Sequence, residues 1–307
     1  MNTLQAIAGN LRRVIKGKDD VIDQVLIALA ANGHVLIEDV PGVGKTTLGK
    51  ALARSLRGEF HRLQFTPDLL PTDIDGGMVY SAATGEFTFH PGPIFGNIVL
   101  ADEINRASPR TQSALLEAMD ERQVTVEGHA HPLPKPFMVI GTENPIEYHG
   151  TYPLPESQLD RFAMKLQIGY PDEEREMEIV EDQRERHPLD DLDAVVDTDD
   201  ILRVRREVRT VAVEKTVVKY ITGLVRSTRH DPHCRLGASP RAALVLYRTS
   251  QARAYLRQRD YVTPDDVKAL AISVLAHRLV LNTKAQYAGV SKGTLVRERL
   301  SAVKVPV

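Results

Sequence analysis

The stretch Glu38-Asp-Val-Pro-Gly-Val-Gly-Lys-Thr46 sets two glycines, a lysine and a hydroxyl within a few residues of one another. Gly42 and Gly44 let successive backbone N–H groups turn inward, which makes a concavity for phosphate oxygens. Lys45 adds a mobile point charge that can follow the outer phosphates. Thr46 adds a hydroxyl of the kind that ligates Mg²⁺. Pro41, Val43 and Thr47 complete the loop. A second run, Asn97-Ile-Val-Leu-Ala-Asp-Glu103, ends in two acids, with Asp102 55 residues after Thr47. Asp102 suits Mg²⁺, and Glu103 suits the orientation or deprotonation of an attacking water. Together these residues describe binding of ATP or ADP with Mg²⁺ and hydrolysis of the terminal phosphate.

Such a loop works only between a buried strand and a helix whose N-terminus adds its positive end. The sequence supplies both. His34 to Ile37 is a short apolar run before the loop, and Thr47-Leu-Gly-Lys-Ala-Leu-Ala53 is a good helix former after it. Asn97 to Ala101 and Phe137 to Gly141 are further apolar runs bounded by turn residues, the mark of parallel strands buried on both faces. Phe60 to Phe65 and Phe162 to Ile168 bring the expected strands to five. The helical stretch Thr111 to Glu121 lies among them. Strands alternating with helices predict a doubly wound α/β sheet over residues 1–170. The first loop position, a glycine in the strict pattern, is Asp39. Asp tolerates left-handed backbone angles, so the loop is expected to keep its shape. Asp39 and Glu143 are also expected to bring negative charge near the phosphates.

After Tyr170-Pro171 the composition shifts. Asp172 to Arg186 is highly charged with a helical pattern, and strand-like runs become scarce. Ser239-Pro240 and Thr263-Pro264 each pair an N-cap residue with proline at the first helical position. Residues 171–307 are therefore expected to form an all-α domain. It carries 24 basic and 21 acidic residues, against 15 and 20 in the first part.

Val40-Pro-Gly-Val-Gly-Lys-Thr46, Gly92 to Ala107, Gly141-Thr-Glu-Asn-Pro145, Leu154 to Phe162 and Gly237-Ala-Ser-Pro-Arg241 together resemble the AAA+ ATPases, and among them the MoxR family. The resemblance covers nearly the whole chain. It implies a P-loop core with a parallel five-stranded sheet, a helical lid and a ring, in this family a hexamer. It also implies chaperone-like remodelling of protein clients or metal-cofactor insertion, often with von Willebrand factor A domain partners. Asn144 resembles the sensor 1 residue that reads the γ-phosphate. Arg161 resembles the arginine finger that reaches a neighbour's nucleotide; its structural alternative is an ion pair with Asp160 or another acid nearby. Arg241 resembles sensor 2, able to touch the γ-phosphate from a lid helix. Ile15 and Gly17 lie in a segment that resembles the adenine contact. Tyr80 to Phe89, turning at Ala83-Thr84-Gly85, and Gln123 to Pro132, turning near Gly128, resemble the helix-2 and pre-sensor-1 hairpins of the clade that includes magnesium-chelatase small subunits and minichromosome-maintenance helicases.

Composition bounds the rest. The chain has 307 residues, 42% hydrophobic and 26% charged, with a net charge of −2. That balance disfavours a strongly basic nucleic-acid binder. One cysteine, Cys234, excludes an intrachain disulfide framework and fits a reducing, cytoplasmic setting. No run is long and apolar enough to insert in a membrane. His230-Asp-Pro-His-Cys234 has metal-ligand types at too tight a spacing for a usual zinc site. Arg226 to Arg259 carries eight arginines and one aspartate with no aromatic stacking pattern to accompany them, which suits a solvated lid face or a subunit contact better than DNA. A DNA-associated motor and a nucleotide-gated scaffold with little hydrolysis are the alternatives to a remodelling ATPase.

Overall fold

The computed structural model describes residues 2–83, 85–145, 151–184 and 186–306. In chain order the elements are α1 (Thr3–Val14), α2 (Asp19–Ala30), β1 (Val35–Glu38), α3 (Lys45–Ser55), β2 (Phe60–Gln64), α4 (Pro71–Asp75), β3 (Gly76–Ser81), β4 (Glu86–Pro91), β5 (Ile98–Asp102), α5 (Pro109–Glu121), β6 (Gln123–Val126), β7 (His129–Pro132) and β8 (Met138–Glu143). There follow α6 (Glu156–Leu159), β9 (Met164–Leu166), α7 (Glu173–Asp182), α8 (Thr198–Val208), α9 (Lys215–Arg229), β10 (Cys234–Leu236), α10 (Pro240–Leu256), α11 (Pro264–Leu275), β11 (Val280–Leu281), α12 (Thr283–Tyr287) and α13 (Lys292–Ala302).

The five expected strands form one sheet in the order β2-β5-β8-β1-β9, parallel throughout. Alternation along the strands sorts the core into two layers. Val35, Ile37, Ile98, Leu100, Met138 and Ile140 join a layer with α1, α2, α3 and the C-terminal helices. Leu36, Val99, Ala101 and Val139 join a second layer with α4 and α5. Both faces are covered, which is why the central strands are apolar until they reach the carboxyl edge at Glu38, Asp102 and Thr142. The strand order leaves the loops after β1, β5 and β8 side by side at the carboxyl edge, where α/β sheets bind ligands.

The two expected hairpins are present as β3–β4 and β6–β7. The first is longer than expected, pairing Gly76 with Pro91. Its turn residue Thr84 lies outside the described residues. The second turns at Glu127-Gly128, both with positive φ, as a two-residue hairpin turn requires.

The C-terminal part is helical with one exception. β10 and β11 form a short antiparallel ribbon, so this part is not all-α as the sequence suggested. Strand runs of two and three residues are too short to leave a period-2 pattern. Ser239 caps α10 by accepting from the Ala242 amide, and Thr263 with Asp266 forms a capping box on α11. Asp266 is fully buried and meets both Arg253 and Arg259. The arginine-rich stretch is largely spent in such internal contacts: Arg257 pairs with Asp23, Arg241 with Asp120, and Arg229 donates to the Ala238 carbonyl. No helix among the described residues is long and apolar enough to cross a membrane.

Candidate functional site

The chain leaves β1 at Glu38 and winds through the glycine loop into α3. Gly42 and Gly44 have φ of 86° and 91°, a conformation that side chains other than glycine rarely adopt. A Cβ on Gly42 would meet nothing within 4 Å, so the inner wall of the loop is open to a ligand. The Lys45 ammonium donates to the Asp39 carbonyl at 2.9 Å and the Val40 carbonyl at 3.2 Å, which holds it across the loop mouth. Pro41, Gly42, Gly44, Lys45, Thr46 and Thr47 then share one cavity of about 340 Å³ with Asp102, Glu103 and Asn144. This set comes from the ends of three adjacent strands, and the donors and acceptors suit Mg²⁺ and a triphosphate.

Asp39 does not use the left-handed angle that sequence reasoning offered it; it is not among the residues with positive φ. Nor does its carboxylate face the loop. It accepts from the Val40 amide at 2.9 Å, the Ile168 amide at 2.7 Å and the Gly169 amide at 2.6 Å. The negative charge is thus committed to three backbone dipoles that tie the loop to the chain leaving β9. Glu143 faces Glu38 across the β1–β8 register. Burial raises its pKa, opposed by Lys165, which pairs with Glu38 at 2.6 Å, and aided by Glu38 itself.

Asp102 is held at both oxygens. Thr142 Oγ1 donates to Oδ1 at 2.6 Å, and Arg62 Nη2 donates to Oδ2 at 2.6 Å. Glu103 sits in a left-handed conformation at φ 58°. Its amide donates to Thr142 Oγ1 at 2.9 Å, and its carboxylate accepts from Gln64 at 2.9 Å and Arg106 at 3.1 Å. Arg62, Gln64 and Thr142 escaped sequence reasoning. Their signal is positional only: each lies on a strand adjacent to β5 at the same edge.

A second cavity of about 460 Å³ adjoins the loop. Ile15, Val43, Gly44 and Thr47 line one side, and Tyr170, Ile179 and Val180 the other. Its apolar walls suit a nucleoside base, and Ile15 reaches to 4.0 Å of the position a Cβ on Gly44 would take. Lys16 pairs with Asp182 across the cavity at 2.7 Å. Gly17 itself does not line it. It turns the chain at φ 66° against Arg175, where a Cβ would come within 2.9 Å of Arg175 Cγ.

Arg161 and Arg241 are not at this end of the sheet. Arg161 precedes β9, and α5 returns the chain to the same amino edge. There Arg161 donates to the Leu116 carbonyl at 2.6 Å and pairs with Asp120 at 3.1 Å. Arg241 pairs with the same Asp120 at 2.7 Å. Asp160 is occupied elsewhere, by Arg278 at 2.7 Å and Ser239 at 3.0 Å. Arg122, Arg161, Arg241 and Arg248 line a cavity of about 250 Å³ in which Asp120 is the one acid. Neither arginine, therefore, meets the glycine loop of its own chain. The tight His230–Cys234 stretch is structural: Asp231 pairs with His233 at 3.2 Å and Arg299 at 3.1 Å, and no cluster of three metal-ligating side chains occurs among the described residues.

Residues 34–164 match the family described as ATPase family associated with various cellular activities (AAA), and residues 226–299 match the AAA lid domain. The uncharacterized protein YeaC of Bacillus subtilis is 51% identical over 97% of this chain and 93% of its own length. Chaperone MoxR1 of Mycobacterium tuberculosis is 40% identical over 100% of this chain and 83% of its own. A crystal structure from Cytophaga hutchinsonii, assigned as a candidate ATPase, superposes with a TM-score of 0.92 at 39% identity, covering 99% of this chain and 95% of that one.

Proposed function

Because the chain belongs to the MoxR family of AAA+ ATPases, we propose that it hydrolyses ATP in a homo-oligomeric ring, a hexamer by family resemblance, and spends that energy on remodelling protein clients. On this reading residues 1–170 are the nucleotide-binding core and residues 171–307 the lid. Lys45, Thr46 and Asp102 would hold the nucleotide and Mg²⁺, and the metal would supply charge neutralisation at the phosphate oxygens. Glu103 orients the attacking water and accepts its proton, while Asn144 positions that water against the terminal phosphate. Ile15 and Val43 pack the base.

One observation supports the ring: the residues that this reading assigns to one phosphoryl-transfer site lie at opposite edges of one sheet. The glycine loop, Asp102 and Glu103 are at the carboxyl edge, and Arg161 and Arg241 at the amino edge. A head-to-tail ring would bring the amino edge of one subunit to the carboxyl edge of the next. There the arginines neutralise charge developing on the transferred phosphoryl group. Arg241, on the lid, would then report the neighbour's nucleotide rather than its own.

The test mixes two inactive variants. Glu103→Gln keeps the arginines and binds ATP without turnover; Arg161→Ala keeps Glu103. If the site is shared, mixed rings regain hydrolysis at interfaces that pair an intact Glu103 with an intact Arg161, about a quarter of them in an equal mixture. No recovery in rings shown to exchange subunits would refute the shared site. A carrier of a von Willebrand factor A domain is the partner class that the family resemblance implies.

A further inference from the structure

Nucleotide chemistry leaves one large cleft unused. It encloses about 960 Å³ between α4 and the two hairpins, and Asp75, Met78, Phe87, Val126, Glu127 and His129 line it. Its apolar lining lies open to solvent: Phe87 is 65% exposed and Tyr80, whose ring lies 5.2 Å from it, 57%. Its charge is one-sided. Asp75 and Glu127 supply carboxylates, and no lysine or arginine lines it.

Asp75 is the decisive residue. Its Oδ1 is buried and meets no hydrogen-bond donor among the described residues. Burial first, then Glu117 on the neighbouring helix α5, push its carboxyl up to about 6. Glu127 lines the same cleft, so the two carboxylates together give it a negative field that a cation would neutralise. The surrounding backbone suits an extended visitor. Each hairpin is a two-stranded sheet, so its strands keep unpaired edges of the kind to which a peptide strand can add. A Cβ on Gly77 of β3 would meet nothing within 4 Å, so main chain can approach there.

We propose that this cleft binds an extended segment of a protein client in which a lysine or arginine neighbours an apolar side chain. The cation meets Asp75 with Glu127 beside it, and the apolar side chain lies on Met78 and Phe87. The inference deepens the reading of the chain as a client-remodelling ATPase by naming the client's chemistry. A nucleic acid fits less well, since its phosphates would face two carboxylates and no cation.

The test is fluorescence anisotropy with a labelled peptide of alternating leucine and arginine, and a matched peptide of leucine and glutamate. The basic peptide binds and the acidic one does not. Asp75→Asn and Phe87→Ala each weaken binding by roughly tenfold, and Glu127→Gln by less, while basal ATP hydrolysis and ring size stay unchanged. Affinity for the unmodified protein falls as pH drops below about 6, because protonated Asp75 no longer attracts a cation. Glu117, Glu127 and His129 also face this region, so the loss of that pH step in Asp75→Asn identifies the group. Equal binding of the basic peptide to Asp75→Asn, equal binding of the acidic peptide, or displacement by single-stranded DNA would overturn the proposal. So would dispersal of the ring by Phe87→Ala, which would make the patch a subunit contact. Hydrolysis measured in parallel separates the two readings: absent turnover refutes the enzyme, and peptide binding alone decides the cleft.

Discussion

Asp120→Asn tests whether one carboxylate sets the position of both arginines. Asp120 takes Arg161 at 3.1 Å on one oxygen and Arg241 at 2.7 Å on the other, so the two guanidinium nitrogens lie within about 8 Å of each other. With the carboxylate present their repulsion is offset. Remove its charge and two cations remain side by side. At an effective dielectric of about 20–40, suited to a site whose side chains are a quarter to a half exposed, the uncompensated repulsion is roughly 1–2 kcal/mol. That would drive the pair from its set position for most of the time and lower kcat by about 5- to 30-fold. Arg161→Ala, which deletes the charge itself, should cost about 10³-fold or more. The assay is Mg-dependent ATP hydrolysis across a range of protein concentrations, with ring size followed by light scattering. Asp120→Glu should restore much of the rate, because it returns the charge. A purely packing role would instead lower stability in both variants alike. Full activity in Asp120→Asn would refute the reasoning, and so would a loss as deep as that of Arg161→Ala with rings intact.

Asp39→Asn should lower stability by about 1–2 kcal/mol without tightening ATP, because its charge already serves the Val40, Ile168 and Gly169 amides; urea midpoints and a nucleotide titration check this, and a large gain in ATP affinity would contradict it. Acidification should destabilise the chain well above the carboxylate range. His34 is buried and its pKa pushed down to about 3, first by burial and then by Arg122. The unfolded chain takes up its proton near pH 6.5 and the folded one does not, so His34's contribution is full above pH 6.5 and falls by up to about 1.4 kcal/mol per pH unit below it; buried His277, lowered likewise, adds to that slope, so His34→Gln should reduce it without abolishing it, measured from urea midpoints between pH 7 and 5. Asp266→Asn should destabilise by about 3 kcal/mol in a thermal or urea melt, since it leaves Arg253 and Arg259 beside a neutral amide at a fully buried site; a change under about 1 kcal/mol would show that those arginines reach solvent instead.

The sheet and the glycine loop were legible because their signals are local. Apolar runs at Val35–Ile37, Ile98–Ala101 and Met138–Gly141 can be read in sequence, and so can Gly-Lys-Thr between a strand and a helix. The acidic end of β5 is legible for the same reason, since Asp102 closes a buried strand and Glu103 follows it. What was not legible is which groups hold these residues. Arg62 comes to Asp102, and Thr142 to both Asp102 and the Glu103 amide, only because β2, β5 and β8 lie side by side. Sequence carries no register between strands 40 residues apart. The ribbon of β10 and β11 was hidden by its brevity. Asp39 shows a subtler failure. As a residue type Asp39 suggests a backbone angle and a charge beside phosphate, whereas the fold uses it as an acceptor for amides 129 and 130 residues away.

That placement of Asp39 bears on how nucleotide state could reach the lid. The Ile168 and Gly169 amides it holds are the last before Tyr170-Pro171, where the chain leaves the sheet. Lys18, which lines the second cavity, donates to the Tyr170 carbonyl at 2.7 Å. Residues 168–170 are thus fastened on one side to Asp39, at the start of the glycine loop, and on the other to Lys18, which lines the apolar cavity. Helix α7, directly after this segment, carries Ile179 and Val180 into that same cavity and is tied back by Asp182 to Lys16. A ligand that moved either fastening would turn α7. Arg241 lies on a later helix of the lid and points to the opposite edge of the sheet, where the neighbouring subunit's phosphate would lie in the ring. In the ring proposed above, nucleotide bound in one subunit and an arginine offered to the next would be coupled in part through residues 168–171, beside the direct contacts of Asp23 with Arg257 and of Asp160 with Arg278.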